Sequence, residues 1–168
     1  MNKTRFFLIV MMILPWFSLP LLGRRTIKKY LPAATFVTLV NTLVHIIAKK
    51  KNWWWFYTSI HPKISGSVPF IIGPEFIAAL WTLKYHYGKF LKFIIINGIG
   101  HFLIAFPGVK VLKQLNIVSL VRFKPIHVAL LFLLRGLSLY GFQFAIDSMK
   151  KKKNPFFRVF HWINSNSL

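Results

Sequence analysis

The sequence predicts an all-α integral membrane protein with about five transmembrane helices, and three observations carry that expectation. Hydrophobic residues make up 55% of the 168-residue chain and its mean hydropathy is +0.54, more apolar surface than a soluble domain of this length needs to fill its core. The apolar residues fall into runs close to the roughly 20 residues (range about 17–25) that a helix needs to cross a bilayer. Finally, 23 Lys and Arg stand against two acids, Glu75 and Asp147, for a net charge of +21, and the basic residues sit in the gaps between the runs.

The first expected span is 6–22. Lys3 and Arg5 before an apolar run resemble a secretory signal, but the run ends Pro20-Leu21-Leu22-Gly23 before Arg24 and Arg25, without the small residues that a signal peptidase site requires. It reads as a retained helix, kinked by Pro15 and Pro20, which a membrane helix tolerates when neighbours re-satisfy the freed carbonyls. The second span, 31–48, is closed by Lys49-Lys50-Lys51. Directly after it stands Asn52-Trp53-Trp54-Trp55-Phe56-Tyr57. Amphipathic Trp and Tyr rings favour the headgroup level of a bilayer, so Trp53, Trp54, Trp55 and Tyr57 read as interfacial anchors.

Residues 58–67, with Pro62, Ser65 and Gly66, read as a polar loop. The third span is 68–83, interrupted by Gly73-Pro74-Glu75. The fourth, 93–106, is stopped by Pro107-Gly108, and the fifth is 128–146. Between the last two, Val111, Leu115, Val118 and Val121 recur at helical spacing while Lys110, Lys113, Gln114 and Arg122 take other faces. Segment 109–124 therefore reads as a basic amphipathic helix lying in the interface, with a distorted extension of the fourth span as the alternative. Residues 149–168 read as a basic, aromatic tail, with Phe156, Phe157, Phe160 and Trp162 placed to lie on the membrane surface. The whole chain reads as a single transmembrane domain.

Charge speaks more to partners than to orientation. With five spans, ten basic residues fall on one side and twelve on the other. The run Lys150–Lys153 tips the C-terminus toward the cytoplasm under the positive-inside rule. Anionic lipid attracts a surface Lys or Arg by about 1 kcal/mol, so anionic headgroups are the expected partners at both ends. Nucleic acid is not expected, because the charges are divided among short loops and form no continuous groove. The chain has no cysteine, which removes disulfides, thiolate metal sites and a cysteine nucleophile together.

Candidate functional residues are the polar groups inside the apolar runs, since an ionisable group costs about 2.5–3.5 kcal/mol at mid-bilayer on insertion scales. Asn41 and His45 are four apart and share a helix face, and Asn97 with His101 repeats the spacing. Glu75 and Arg135 are the opposite charges placed at depth. As a structural pair they would set helix register, with the Asn/His faces as hydrogen-bonding glue worth about 0.6–2 kcal/mol per contact. As a transport site, Glu75 would carry a proton or cation relayed by His101 or His45, with Pro74 breaking the helix as in discontinuous transporter helices. A His45–His101–Glu75 metal set is a weaker reading, because three separate helices would have to supply it without a helix-borne ligand spacing. No metal or other cofactor is expected. The chain carries no catalytic serine motif or Gly-rich phosphate loop, and two acids far apart in sequence argue against acid/base hydrolysis.

The stretch 49–76, KKKNWWWFYTSIHPKISGSVPFIIGPEF, resembles small multi-pass membrane proteins of Bacillus-type Gram-positive bacteria, in which a Trp-rich boundary precedes a short polar loop and a Pro-containing span. The likeness lies in size, span layout and this local pattern. It implies a bacterial plasma membrane and carries over no site residue. The function expected from the residues is non-enzymatic: an accessory or interaction protein, assembling with itself or a larger membrane protein. The alternative is a small oligomeric transporter or channel for protons, ions or a small solute, using Glu75 and Arg135.

Overall fold

The computed structural model describes residues 3–61 and 64–153. It is 80% helical, and five helices alternate in direction. The first, α1, passes through Lys3–Ile13, a 3-10 turn at Leu14–Ser18 and a last turn at Leu19–Leu22. Pro15 and Pro20 each open one of the shorter pieces, where the missing N–H costs least. Ser18 Oγ donates to Pro15 O at 2.6 Å. Gly23, with φ +79°, ends α1 in a conformation that costs glycine little.

Helix α2 is Arg24–Lys50, so it begins a full two turns before the expected span at 31. Arg24, Arg25, Lys28 and Lys29 end the apolar run without ending the helix, because long basic side chains can lay their stems on the helix and hold their heads in water.

Helix α3 covers residues 68–86 in three pieces: Val68–Phe70, a wide π turn at Ile71–Glu75, and Phe76–His86. The Gly73-Pro74-Glu75 interruption is thus a bulge and not a break. The extra residue in the turn absorbs the proline, and Phe76 N–H reaches back five residues to Ile71 O.

The same device corrects the fourth span. Helix α4 does not stop at Pro107-Gly108: Phe90–Leu103 continues through a π turn at Ile104–Gly108 into Val109–Gln114. Segment 109–124 is therefore not an interfacial helix. Its first turn and a half extends α4, and Val118–Leu120 within it form a strand. Helix α5 is Pro125–Lys153, so Lys150–Lys153 belong to a helix rather than to a tail. Residues 154–168, where the surface-lying aromatic tail was expected, are outside the described residues.

Two helices stop in the same way. Asn52 and Asn116 both take φ +52°, the left-handed position that Asn tolerates better than most residues. Trp53 N–H then closes on Ala48 O and Ile117 N–H on Leu112 O, at 2.9 and 3.0 Å. This is the six-to-one bond of a Schellman motif. Each motif feeds a strand, β1 (Trp54–Phe56) and β2 (Val118–Leu120), which pair antiparallel with Trp55 opposite Ser119. Trp53 O accepts the N–H groups of Val121, Arg122 and Phe123 at 3.0–3.3 Å, pinning the strand pair to the entry of α5.

Side-chain contacts sort the helix ends into two groups. At one end lie the two strands, where His45 meets Trp54 and Phe56 meets Phe70. At the other, Tyr30 of α2, Tyr87 after α3 and Tyr140 of α5 come together. The core is apolar and tight: Leu22, Tyr30, Ala33, Ala34 and Val37 pack against Ala79, Leu80, Leu83 and Leu139. The alanines let backbones approach closely, which is what holds helices together where lipid removes the hydrophobic drive. Helix α1 is fastened to α3 by Trp81 Nε1 donating to Ser18 Oγ at 2.9 Å, by Lys84 Nζ donating to Leu21 O at 2.8 Å, and by Trp16 stacking on Phe76.

Among the described residues, four helices are long and apolar enough to cross a membrane: Thr4–Leu22, Arg24–Lys50, Phe90–Gln114 and Pro125–Lys150. The expected count was about five. Helix α3 falls outside the four because Pro69, Gly73, Pro74, Glu75 and Lys84 dilute its apolar run.

Candidate functional site

Three helices deliver one polar group each to the middle of the bundle. Asn41 sits on the buried face of α2, 7% exposed. Glu75 closes the wide turn of α3, and Arg135 lies on the face of α5 that meets both. Arg135 Nη1 is 3.3 Å from Glu75 Oε2, the two side chains being 15% and 16% exposed. Its Nη2 donates to the main-chain carbonyl of Glu75 at 3.1 Å. Asn41 Nδ2 donates to the same carboxylate oxygen, Oε2. One guanidinium thus grips both the side chain and the backbone of Glu75.

This arrangement meets the condition for keeping an ion pair out of water. Desolvating two charges costs several kcal/mol each, and their attraction offsets that only with good geometry and additional hydrogen bonds. Asn41 and the Glu75 carbonyl supply those bonds. Asn41→Leu should therefore lower stability by about 1.5–3 kcal/mol, the range for a hydrogen bond to a charged group. Chemical unfolding in micelles measures it, and a change under about 0.5 kcal/mol would mean Asn41 is not holding the carboxylate.

The three other expected polar residues divide. His45, one turn beyond Asn41, packs its ring edge-on to Trp54 at 5.2 Å and lies 6.2 Å from Phe56. His101 comes from α4 and sits 5.2 Å from Phe132, one turn before Gly136 on α5. Gly136 lies against that ring, and a Cβ there would make ordinary van der Waals contact with it, 3.8 Å from His101 Cε1. The Nδ1 atoms of His45 and His101 are both buried without a hydrogen-bond partner. Asn97 turns back on its own helix, donating to Phe93 O at 2.8 Å. Among the described residues no group of three His, Asp or Glu is placed to hold a metal ion.

The Trp-rich stretch is a strand and a turn, so its rings alternate. Trp55 and Tyr57 are 52% and 56% exposed. Trp53 and Trp54 turn inward on Phe123, Trp53 stacking at 4.3 Å.

A second polar group was missed from the sequence. Arg135, Leu139, Gln143 and Asp147 follow one another at four-residue spacing, so they line one face of α5. Gln143 is fully buried, and its Nε2 donates to Asp147 Oδ1 at 3.1 Å. Burial and then the hydrogen bond to Asp147 push the Tyr87 phenol above its ordinary range. A raised folded-state value means that this contribution to stability is complete below the unfolded pKa and is lost as pH rises beyond about 10. Tyr87→Phe should flatten that alkaline limb relative to the native chain while leaving stability at pH 8 little changed in its slope. An unaltered alkaline limb would show that the phenol is not tied to Asp147.

No family model, no curated protein and no solved structure matches the chain.

Proposed function

We propose that the chain is a five-helix protein of a bacterial plasma membrane that acts without turnover, as an accessory or interaction protein assembling with itself or with a larger membrane protein. The observation that carries this reading is the grip on Glu75. Its carboxylate accepts from both Arg135 and Asn41, and its own carbonyl is taken by Arg135. A carrier group must be released to move charge, whereas this one is held on two sides, by α2 and by α5. On this reading α3 is the fifth span. It lies inside the bundle between α1 and α2, and its one mid-length charge is neutralised there. The basic ends meet anionic headgroups, with the C-terminus in the cytoplasm.

The test is cross-linking of a tagged copy in its native membrane. The expected result is one partner at fixed stoichiometry, lost when an outward-facing helix surface is altered and retained when Glu75 and Arg135 are neutralised together. A turnover that disappears in Glu75→Gln, with protein level unchanged, would overturn the reading.

A second reading, a small oligomeric transporter or channel, draws on one observation: His45 and His101 flank the ion pair with buried Nδ1 atoms that lack partners. It requires that Glu75→Gln abolish flux in vesicles while leaving the fold intact.

A further inference from the structure

At the tyrosine end of the bundle stands a carboxylate with an unusual set of neighbours. Asp147 is one of two acids in the chain, at an end that also carries Arg24, Arg25, Lys28, Lys29, Lys84 and Lys89, with Lys150–Lys153 following it on α5. Among the side chains described, which on α5 end at Lys150, it nevertheless has no ion-pair partner, the single pair within 4 Å being Arg135–Glu75. A neutral donor holds it instead, Gln143 Nε2 at 3.1 Å, and the carboxylate is among the groups that push the nearby Tyr87 phenol up.

Two further features surround it. Gln143 is 0% exposed, and its Oε1 is buried with no hydrogen-bond partner. Rotating the amide would not help, since it would set that oxygen against the Asp147 carboxylate. Beside these acceptors the rings of Tyr30, Tyr87 and Tyr140 form a corner, with centroid distances of 5.8 Å for Tyr30–Tyr87 and 5.3 Å for Tyr87–Tyr140. Lys29 Nζ lies 5.1 and 5.3 Å from the Tyr30 and Tyr87 centroids. The ring faces therefore already hold an ammonium, supplied by an exposed side chain on a long stem.

We propose that this corner is a binding site for a primary alkylammonium group, such as the headgroup of an ethanolamine phospholipid, which displaces Lys29 from the rings. The tyrosine faces take the cation. Asp147 and Gln143 Oε1 accept its N–H groups, and the carbonyl oxygen gains the donor it lacks. The displaced Lys29 and its basic neighbours are then free to meet the phosphate that such a headgroup carries next to its ammonium. A trimethylammonium headgroup has no N–H to give, and a glycerol headgroup has no cation. The site should therefore discriminate against both. The inference does not depend on the accessory role.

The experiment is native mass spectrometry of the full chain in detergent, titrated with phosphatidylethanolamine, phosphatidylcholine and phosphatidylglycerol of equal acyl length. The ethanolamine lipid should be retained roughly tenfold over the other two. Asp147→Asn and Gln143→Leu should abolish that preference. Lys29→Ala is the decisive variant, because the side chain is exposed and its loss does not threaten the fold. Removing the tethered competitor should tighten ethanolamine lipid binding severalfold, which a merely structural role for the corner would not do. Equal retention of the three lipids, or weaker binding in Lys29→Ala, would overturn the proposal. Soluble phosphoethanolamine separates the sources: competition at the same site assigns it to free amines as well, and lipid-only binding assigns it to the bilayer. Each of these supports the ammonium chemistry.

Discussion

Arg135→Met should destabilise the folded chain by about 3–5 kcal/mol, the cost of leaving one member of a buried pair without its partner. The substitution conserves an unbranched stem, so packing against α2 and α3 changes little. What changes is that the Glu75 carboxylate, 16% exposed, keeps only the amide of Asn41. The Glu75 carbonyl loses the guanidinium N–H at the same time. Glu75→Gln alone should cost less, because the amide still accepts from Arg135 and the guanidinium keeps the carbonyl. In the double variant Glu75→Gln/Arg135→Met both charges are gone, and stability should return to within about 1–2 kcal/mol of the native chain, since neutral replacements of buried pairs are often tolerated or stabilising. Unfolding of the four proteins in one micelle gives the coupling energy directly. A sum of single effects equal to the double effect would show that the two side chains do not act on each other.

Gly73→Val should loosen α1 from the bundle. A Cβ at Gly73 would stand 2.7 Å from Met12 Cα and 2.9 Å from the carbonyl oxygens of Met11 and Met12. These are backbone atoms, so no side-chain rotation makes room, and α1 as a whole has to move. Overpacking of this kind costs about 1–3 kcal/mol. The damage should also be directional. The bonds from Trp81 to Ser18 and from Lys84 to Leu21, together with the stack of Trp16 on Phe76, all cross the same seam. Hydrogen exchange should rise through 14–22 while the middle of α5 stays protected. Uniform loss of protection would mean that α1 is integral to the core rather than a helix docked on it.

Much of this architecture was legible because the bilayer imposes a length on apolar runs. Helices α1, α2 and α5 lie where their runs lie, and the pairing of Glu75 with Arg135 follows from their being the opposite charges at depth. Two kinds of information were hidden. Pro107 looks like a stop and Pro74 like a break, yet both helices continue through π turns. Whether a proline ends a helix depends on whether the turn before it can take an extra residue, and that is decided by packing rather than by the residue itself. The strand pair was hidden for another reason. Val111, Leu115, Val118 and Val121 fit a helical period, but Asn116 interrupts it in a left-handed conformation. The matching Asn52 stands before an alternating aromatic run, so each helix-stop Asn is followed by residues that favour a strand. The period-two alternation of inward Trp54 and outward Trp55 is readable in the sequence, but a run of Trp equally fits an interfacial anchor, which masks it. On α5 the same four-residue spacing that singled out Asn41 with His45 also joins Gln143 to Asp147. That link is hidden because an acid at the close of an apolar run looks like the end of a span.

The central claim is that the mid-bundle charges hold helices together and do not move. The most direct measurement is dissipation of a proton gradient by the native chain and by Glu75→Gln/Arg135→Met, reconstituted in vesicles at equal loading. The account predicts that both proteins fold and that vesicles bearing either hold the gradient as long as protein-free vesicles do. A native chain that collapses the gradient, beside a folded double variant that preserves it, would contradict the account and make Glu75 the carrier.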